Sequence, residues 1–555
     1  MTSRSSPHVT DIASSFDDLV KHYYRSWFRY HPEAAVDAGV PGYAHLLSPC
    51  GEEEKGALVC LNDELRVELE EIDIDSLDAD RRIDYQILCG ATQLENQQLL
   101  DVEPLHPDPG RFLPVDAIYQ LTFRLVDDFD AAMEARLAAI PVHLNAAQLR
   151  VSAKAQYVPP LWARSAITAA RGGTEFLAGL TAHPKITASP KRDSILAHLQ
   201  QAGTALGRYA EFIENVVLPA AKGSFACGPE RFNELLRQRH FLDVDADALH
   251  AFGRRLFEET KKELEAACEA AFGHRDSARA VHQIQAANPV KGDLLAVYTE
   301  AMTAAREFVK AQGLVTVPAP EQLKVIDTPV FLRHQIPFAA YCDPAPNDPE
   351  QVGYYYVTPP ADDEQRAEHD AIGLAHTSVH EAYPGHHLHF VTVNRTPAAR
   401  SWPRLMNSSA TCYEGWALYC EQLMQEKNFL ARPESRIFLL RDRLWRALRI
   451  CIDVELHTRG LTLDAAADRM VEALGFPRAH AIADITWYTQ SPTVPMGYAT
   501  GWALINALRR RENGSAALQS FHDRLLSAGA IALPLGIRRA FGDDAWNAIK
   551  TEVLG

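Results

Sequence analysis

Over most of its 555 residues the chain places apolar side chains three and four positions apart, the spacing that gathers them on one face of a helix. Ile195, Leu196, Leu199, Leu206, Phe212 and Ile213 mark such a face within 195–218. Residues 246–272, rich in Ala, Glu and Lys, predict a second long helix, and 294–312 a third that stops at Gly313. One stretch breaks the pattern. Between about 314 and 360, Val315, Val317, Val325, Ile326, Val330 and Phe331 are interrupted by prolines, and Gly353-Tyr354-Tyr355-Tyr356-Val357-Thr358 follows, so short strands in one small sheet are expected. Helical patterning resumes near Asp362, where Pro359, Pro360 and the acids Asp362, Asp363 and Glu364 suit a helix start, and it lasts to the C-terminus. The fold class is therefore mainly α with one small sheet. Residues 1–14 are polar and predict a disordered tail. No repeat or linker divides 15–555, which is expected to form one large unit of up to two lobes.

Charge and cysteine usage narrow the function classes. The formal net charge is -17 and no long Lys/Arg block offsets it, so neither nucleic acid nor an anionic membrane surface is an expected partner. No apolar run approaches the ~18 residues of a membrane span, and no apolar segment follows Met1-Thr2-Ser3-Arg4-Ser5-Ser6-Pro7-His8 to make a signal peptide. The nine cysteines are scattered without a Cys-x-x-Cys pair, which argues against a disulfide framework and a cysteine zinc module. The expected location is the cytoplasm. Oligomeric state is not legible.

Chemistry concentrates after the sheet region. Five of the 22 histidines and one glutamate fall between 376 and 389, in His376, His380, Glu381, His386, His387 and His389. Neutral imidazole is a good zinc ligand. A glutamate directly after a ligand sits beside the metal and can take a proton from metal-bound water, the logic of His-Glu-x-x-His on a helix. This chain departs from that motif, because the position four after His380 is Pro384. His387, seven on, shares the face but lies about 10.5 Å along a straight helix. A break at Pro384-Gly385 would let His386 take the place of the missing ligand. His380 and His386 are the expected pair, His387 is the alternate, and His376 with His380 is a further i, i+4 pair.

Zinc requires a third ligand and an open position. Glu414, 28 residues after His386, is the candidate; Glu421 is on the same face two turns on. Thr411-x-x-Glu414 also fits a capping box, which would give Glu414 a purely structural role. Within the predicted helix 441–457, Arg446, Arg449, Asp453 and His457 share a face that is either solvated or a buried polar support for the site, with Asp453 or His457 behind the ligands. The segment 488–501, rich in Pro and Gly, reads as a loop that could set Tyr488 or Tyr498 near a developing oxyanion.

His380-Glu381-Ala382-Tyr383-Pro384-Gly385-His386-His387 and Glu414-Gly415-Trp416-Ala417-Leu418-Tyr419 together resemble bacterial domain-of-unknown-function family 885. Arg29-Tyr30-His31-Pro32-Glu33-Ala34-Ala35, Tyr498-Ala499-Thr500-Gly501 and Phe521-His522-Asp523-Arg524-Leu525-Leu526 extend the likeness over most of the chain. That family resembles helical zinc peptidases of the gluzincin kind. The resemblance implies two helical lobes around a deep channel, a His/His/Glu zinc site, and a small sheet beside the site helix whose Gly353–Thr358 strand pairs with an extended substrate. Many relatives look exported, unlike the cytoplasmic location expected here. The expectation is one zinc ion per chain on His380, His386 and Glu414, with Glu381 activating water. Tyr498 would stabilise the tetrahedral intermediate, with Tyr488 or His522 as substitutes. The substrate would be a short peptide. A small non-peptide amide and a catalytically inactive helical binding protein are the rival readings. A ferritin-like di-iron centre, which needs two Glu-x-x-His pairs, is disfavoured.

Overall fold

The computed structural model describes residues 9–336, 338–512 and 517–555. It is mainly helical with one three-stranded sheet. The expected tail, 1–14, lies partly outside the described residues; a helix already begins at Val9. The remainder divides into two compact units.

The first unit comprises the chain up to Ser224 with Ala345–Asp348 and Arg400–Asn407. Its helices include α1 (Val9–Trp27), α2 (Glu52–Glu70), α3 (Ala79–Gln97), α4 (Phe129–Ser152), α5 (Pro160–Gly179) and α6 (Arg192–Phe212). Asp78 and Asp128 cap α3 and α4 by accepting from the backbone N–H groups of Arg81 and Ala131. The apolar face predicted from Ile195 onward is the buried face of α6, where Ile195, Leu199 and Leu206 pack against α4 and α5.

The second unit, Phe225–Pro344, Pro349–Ala399 and Ser408–Gly555, carries every candidate residue. The predicted helices 246–272 and 294–312 are present as α7 (Ala246–Phe272) and α8 (Leu294–Gln312). Asp245 caps the start of α7, and Gly273 (φ 72°) and Gly313 (φ 57°) end the two helices in the left-handed conformation that glycine adopts at least cost. The sheet comprises β1 (Gln322–Asp327), β2 (Ala339–Cys342) and β3 (Val352–Val357), in the order β1-β3-β2, with β3 parallel to β1 and antiparallel to β2. This corrects the expectation that the Gly353–Thr358 strand offers a free edge to substrate: β3 is central, and its hydrogen-bonding sides are taken by β1 and β2. Its Tyr355 and Val357 are buried with Leu294 and Tyr298 of α8.

A second correction concerns the helix expected from Asp362. Asp362 caps only a short turn, Asp363–Ala367; the site helix starts afresh as α9 (Ala371–Glu381). It is followed by α10 (His386–Arg395), α11 (Ala410–Glu426), α12 (Pro433–Thr458), α13 (Arg478–Gln490), α14 (Gly497–Glu512) and α15 (Leu518–Leu526). Helix α9 packs on α8, α11 and α12, and the sheet lies beside it. Helices α11 and α14 cross backbone to backbone. A Cβ added to Gly501 would sit 2.0 Å from the Thr411 carbonyl oxygen, and one added to Gly415 would sit 2.5 Å from the Gly501 Cα. Trp416, Tyr419, Leu423, Leu504 and Leu508 fill the core around that crossing.

Candidate metal centre

Asp370 starts α9 by accepting hydrogen bonds from the backbone N–H groups of Ile372 and Gly373. The helix ends at Glu381, where the chain turns through Ala382–Gly385 and restarts at His386. The Tyr383–Pro384 peptide is cis. Gly385 passes so close to the end of α9 that a Cβ there would lie 1.9 Å from the His380 carbonyl oxygen and 2.4 Å from that of Val379. Its N–H donates to the Val379 carbonyl at 3.1 Å. Only glycine fits this return, and the return brings His386 beside His380, with ring centroids 4.8 Å apart and planes at 88°.

Helix α11 supplies the third donor. Glu414 Oε2 lies 3.4 Å from His380 Nε2 and 3.2 Å from His386 Nε2, and the three donor atoms lie within 4.8 Å of one another. A tetrahedral ion with arms of about 2.05 Å has donor–donor edges of about 3.3 Å, which both separations match. Glu414 Oε2 is buried without a hydrogen-bond partner, a cost of about 1–3 kcal/mol that a cation would remove. These residues fit a metal ion. The capping-box reading of Glu414 does not hold: α11 starts after Ser409, and the Thr411 hydroxyl accepts from the Leu533 N–H instead.

A second carboxylate orients the first histidine. His380 Nδ1 donates to Glu421 Oε1 at 2.8 Å, which would leave the Nε2 lone pair of a neutral ring for a metal ion. His376 stands behind, its Nδ1 3.8 Å from Glu421 Oε2, outside the donor set. Burial would lower the His380 pKa, but the neighbouring carboxylates of Glu414 and Glu421 raise it to about 10. Burial likewise opposes ionisation of Glu414, yet the charges of His386 and His380 hold its carboxyl well below the usual range. The Glu381 carboxyl is pushed up by burial against the opposing pull of His380 and His386, and it lies beside the donor set rather than in it.

His387, the alternate ligand, faces away. Its Nε2 donates to Glu321 Oε2 at 3.0 Å and its Nδ1 accepts from the Tyr341 hydroxyl at 3.1 Å. Glu321 also accepts from Arg306 at 2.6 Å and from Tyr383. This network clamps the turn between α9 and α10, and Gly353 of β3 leaves room for the His387 ring. Neither Glu321 nor Tyr341 is marked in the sequence; each is a lone polar residue in the strand region, brought in by tertiary packing alone.

Tyr488 and Tyr498 are helical, in the last turn of α13 and the first of α14, so only the residues between are the expected loop. Tyr498 lies at the centre: its ring stacks 6.4 Å from that of His380, and burial, then the Glu414 carboxylate, push its phenol well above the ordinary value, so it is a neutral donor. Tyr488 is fully buried behind it, with its hydroxyl accepting from Arg449 Nε at 2.7 Å. Asp453 accepts from the Thr493 N–H at 3.3 Å, and His457 Nε2 donates to the Tyr488 carbonyl at 3.1 Å. Those two hold the segment that leads into Tyr498 and do not touch the ligands. The solvated reading of the α12 stripe fails, since Arg446, Arg449, Asp453 and His457 are all buried. His522 is off the site altogether. Its Nδ1 donates to the Leu314 carbonyl at 2.7 Å and its Nε2 accepts from the Tyr419 hydroxyl at 2.8 Å.

Fold and site define a helical protein with a buried His/His/Glu cluster able to hold a metal ion. The chain belongs to the family of bacterial proteins of unknown function DUF885, whose model matches residues 32–537. No curated protein matches it. Two similar solved structures are described as putative lipoproteins. That from Shewanella oneidensis has 19% identity and a TM-score of 0.76, covering 94% of this chain and 99% of its own. That from Colwellia psychrerythraea has 17% identity and a TM-score of 0.78, covering 98% and 99%. Trypanosoma cruzi metallocarboxypeptidase 1 is similar at 12% identity and a TM-score of 0.42 over 99% of this chain and 100% of its own. Among the described residues no helix is long and apolar enough to cross a membrane.

Proposed function

We propose that this chain is a zinc-dependent hydrolase of amide bonds, acting on short peptides. The observation that supports this reading most is the convergence of His380 Nε2, His386 Nε2 and Glu414 Oε2 beside a free glutamate, Glu381. Zinc would be held by those three residues, one ion per chain, and when bound would polarise the scissile carbonyl and acidify water. Glu421 keeps the His380 ring turned toward the ion. Glu381, with its raised pKa, accepts the proton of the attacking water and passes it to the leaving amine. The neutral Tyr498 phenol donates to the developing oxyanion. Burial of most of the donor set lowers the local dielectric and strengthens each of these interactions. The cytoplasm is the proposed location, supported by nine cysteines that are all free; cell fractionation checks it.

Metal analysis by mass spectrometry on the purified chain tests the reading. About one zinc per chain is expected, lost in His380→Ala, His386→Ala and Glu414→Ala and kept in His387→Ala. Glu381→Gln should keep the metal and lose at least ~100-fold in peptide hydrolysis, the scale of a lost general base. Absence of metal after zinc is supplied would end the hydrolase reading and favour a helical binding protein. Hydrolysis of small N-acyl amides in preference to any peptide would move the substrate class.

A further inference from the structure

Helix α12 brings two guanidinium groups beside the donor set, and both are short of partners. Arg446 and Arg449 are more than nine-tenths buried. Arg449 uses two of its nitrogens, Nε on the Tyr488 hydroxyl at 2.7 Å and Nη2 on Asp484 Oδ1 at 3.1 Å; its Nη1 has no hydrogen-bond partner. Arg446 is left further short. Its Nε and Nη1 are buried and unpartnered, and the Asp442 carboxylate, 3.6 Å away, is already bonded by Arg441 at 2.9 Å. Buried unpaired donors on a charged group are costly, and most native ones have partners. Both groups lie over aromatic faces that fix them: Arg446 is 4.1 Å from the centre of Trp445, and Arg449 is 4.2 Å from the same ring. The Tyr498 ring links them to the metal ligands, 4.5 Å from Arg449, 5.9 Å from Arg446 and 6.4 Å from His380. Arg446 also acts electrostatically on both Glu381 and Glu421.

We infer that Arg446, assisted by Arg449, forms a carboxylate-binding subsite that selects peptides by the free α-carboxylate of their last residue. A carboxylate accepts charge-assisted hydrogen bonds from a guanidinium, and Nε and Nη1 of Arg446, on different edges of the group, are each without a partner for such a bond. A substrate held there would present an amide near its C-terminal end to the donor set. The inference rests on the hydrolase reading for its meaning, but not for its test.

The test is calorimetric titration of the zinc-loaded chain carrying Glu381→Gln, which blocks turnover, with three probes: acetyl-Ala-Phe acid, acetyl-Ala-Phe amide and acetyl-Ala-Glu amide. The free acid should bind about tenfold or more tighter than its amide, the scale of one hydrogen bond between charged groups. Adding Arg446→Met, which keeps the stem over Trp445, should abolish that preference without changing metal content, and Arg446→Lys should restore part of it. Equal binding of acid and amide, a preference that survives Arg446→Met, or no binding of any probe would overturn the subsite. Tightest binding of the acetyl-Ala-Glu amide would replace the α-carboxylate by a side-chain carboxylate and overturn the terminal selection. If the chain takes up no zinc, the same probes are titrated without it. An acid preference lost in Arg446→Met would then retain the subsite and drop only the hydrolase reading.

Discussion

At the scale of single residues, Gly385 decides whether there is a site at all. Its Cα–H points at two carbonyl oxygens of α9, so Gly385→Ala must push the start of α10 away from the end of α9 and carry His386 with it. We expect Gly385→Ala to lose at least ~10-fold in zinc affinity, the lower end of what a displaced ligand shell costs, measured by competition with a chelator. Circular dichroism should remain helical, since the turn joins two helices that are otherwise anchored. His380, Glu381 and His386 were legible because they cluster around Pro384 and Gly385, where a break lets His386 approach His380, and Glu414 was legible as an acid on a following helix. Glu421 was legible by spacing but not by role: two helical turns from Glu414, it gains its part only from the packing of α11 on α9, which sets it on the far side of His380. Glu321 and Tyr341 left no trace in the sequence, because a single acid or phenol gains meaning only from the partner that packing gives it.

At the scale of elements, periodicity and capping residues fixed the helices well: the bounds of α7 and α8 follow from Asp245, Gly273 and Gly313. Strand order did not follow, because which strand is central depends on pairing between segments and not on the residues within one. The crossing of α11 and α14 belongs to this scale too. Gly415 and Gly501 let two backbones touch, which sets Glu414 against Tyr498. Gly501→Ala forces a methyl to 2.0 Å from the Thr411 carbonyl oxygen. A loss of about 1–3 kcal/mol in unfolding free energy is expected from such overpacking, read from urea denaturation. Under the proposed function the rate of hydrolysis in the same variant should fall at least as far as zinc content does, because the methyl separates the phenol on α14 from Glu414 on α11.

For the molecule as a whole, the buried histidines outside the site set its response to acid. Burial depresses His369 and His522 to about 4, and each makes hydrogen bonds that suit the neutral ring. A folded-state value below the unfolded one, about 6.5, means that each contributes stability above pH 6.5 and loses it as pH falls from there through 4. The two losses come to about 3 kcal/mol apiece. The urea midpoint should therefore be level above pH 6.5 and decline toward pH 4, with a shallower decline in His522→Gln. Helical content at the scale of the chain was legible from residue spacing; the bounds of the two compact units were not, since the first unit takes back two short segments from far along the chain. The bare contact between α11 and α14 also bears on how such a chain can change over generations. Because α11 and α14 touch through main chain at Gly415 and Gly501, substitutions away from these two positions leave that contact in place. Under the proposed function, a library that varies the surroundings of the site and spares three glycines, 385, 415 and 501, should keep its metal while its substrate preference changes.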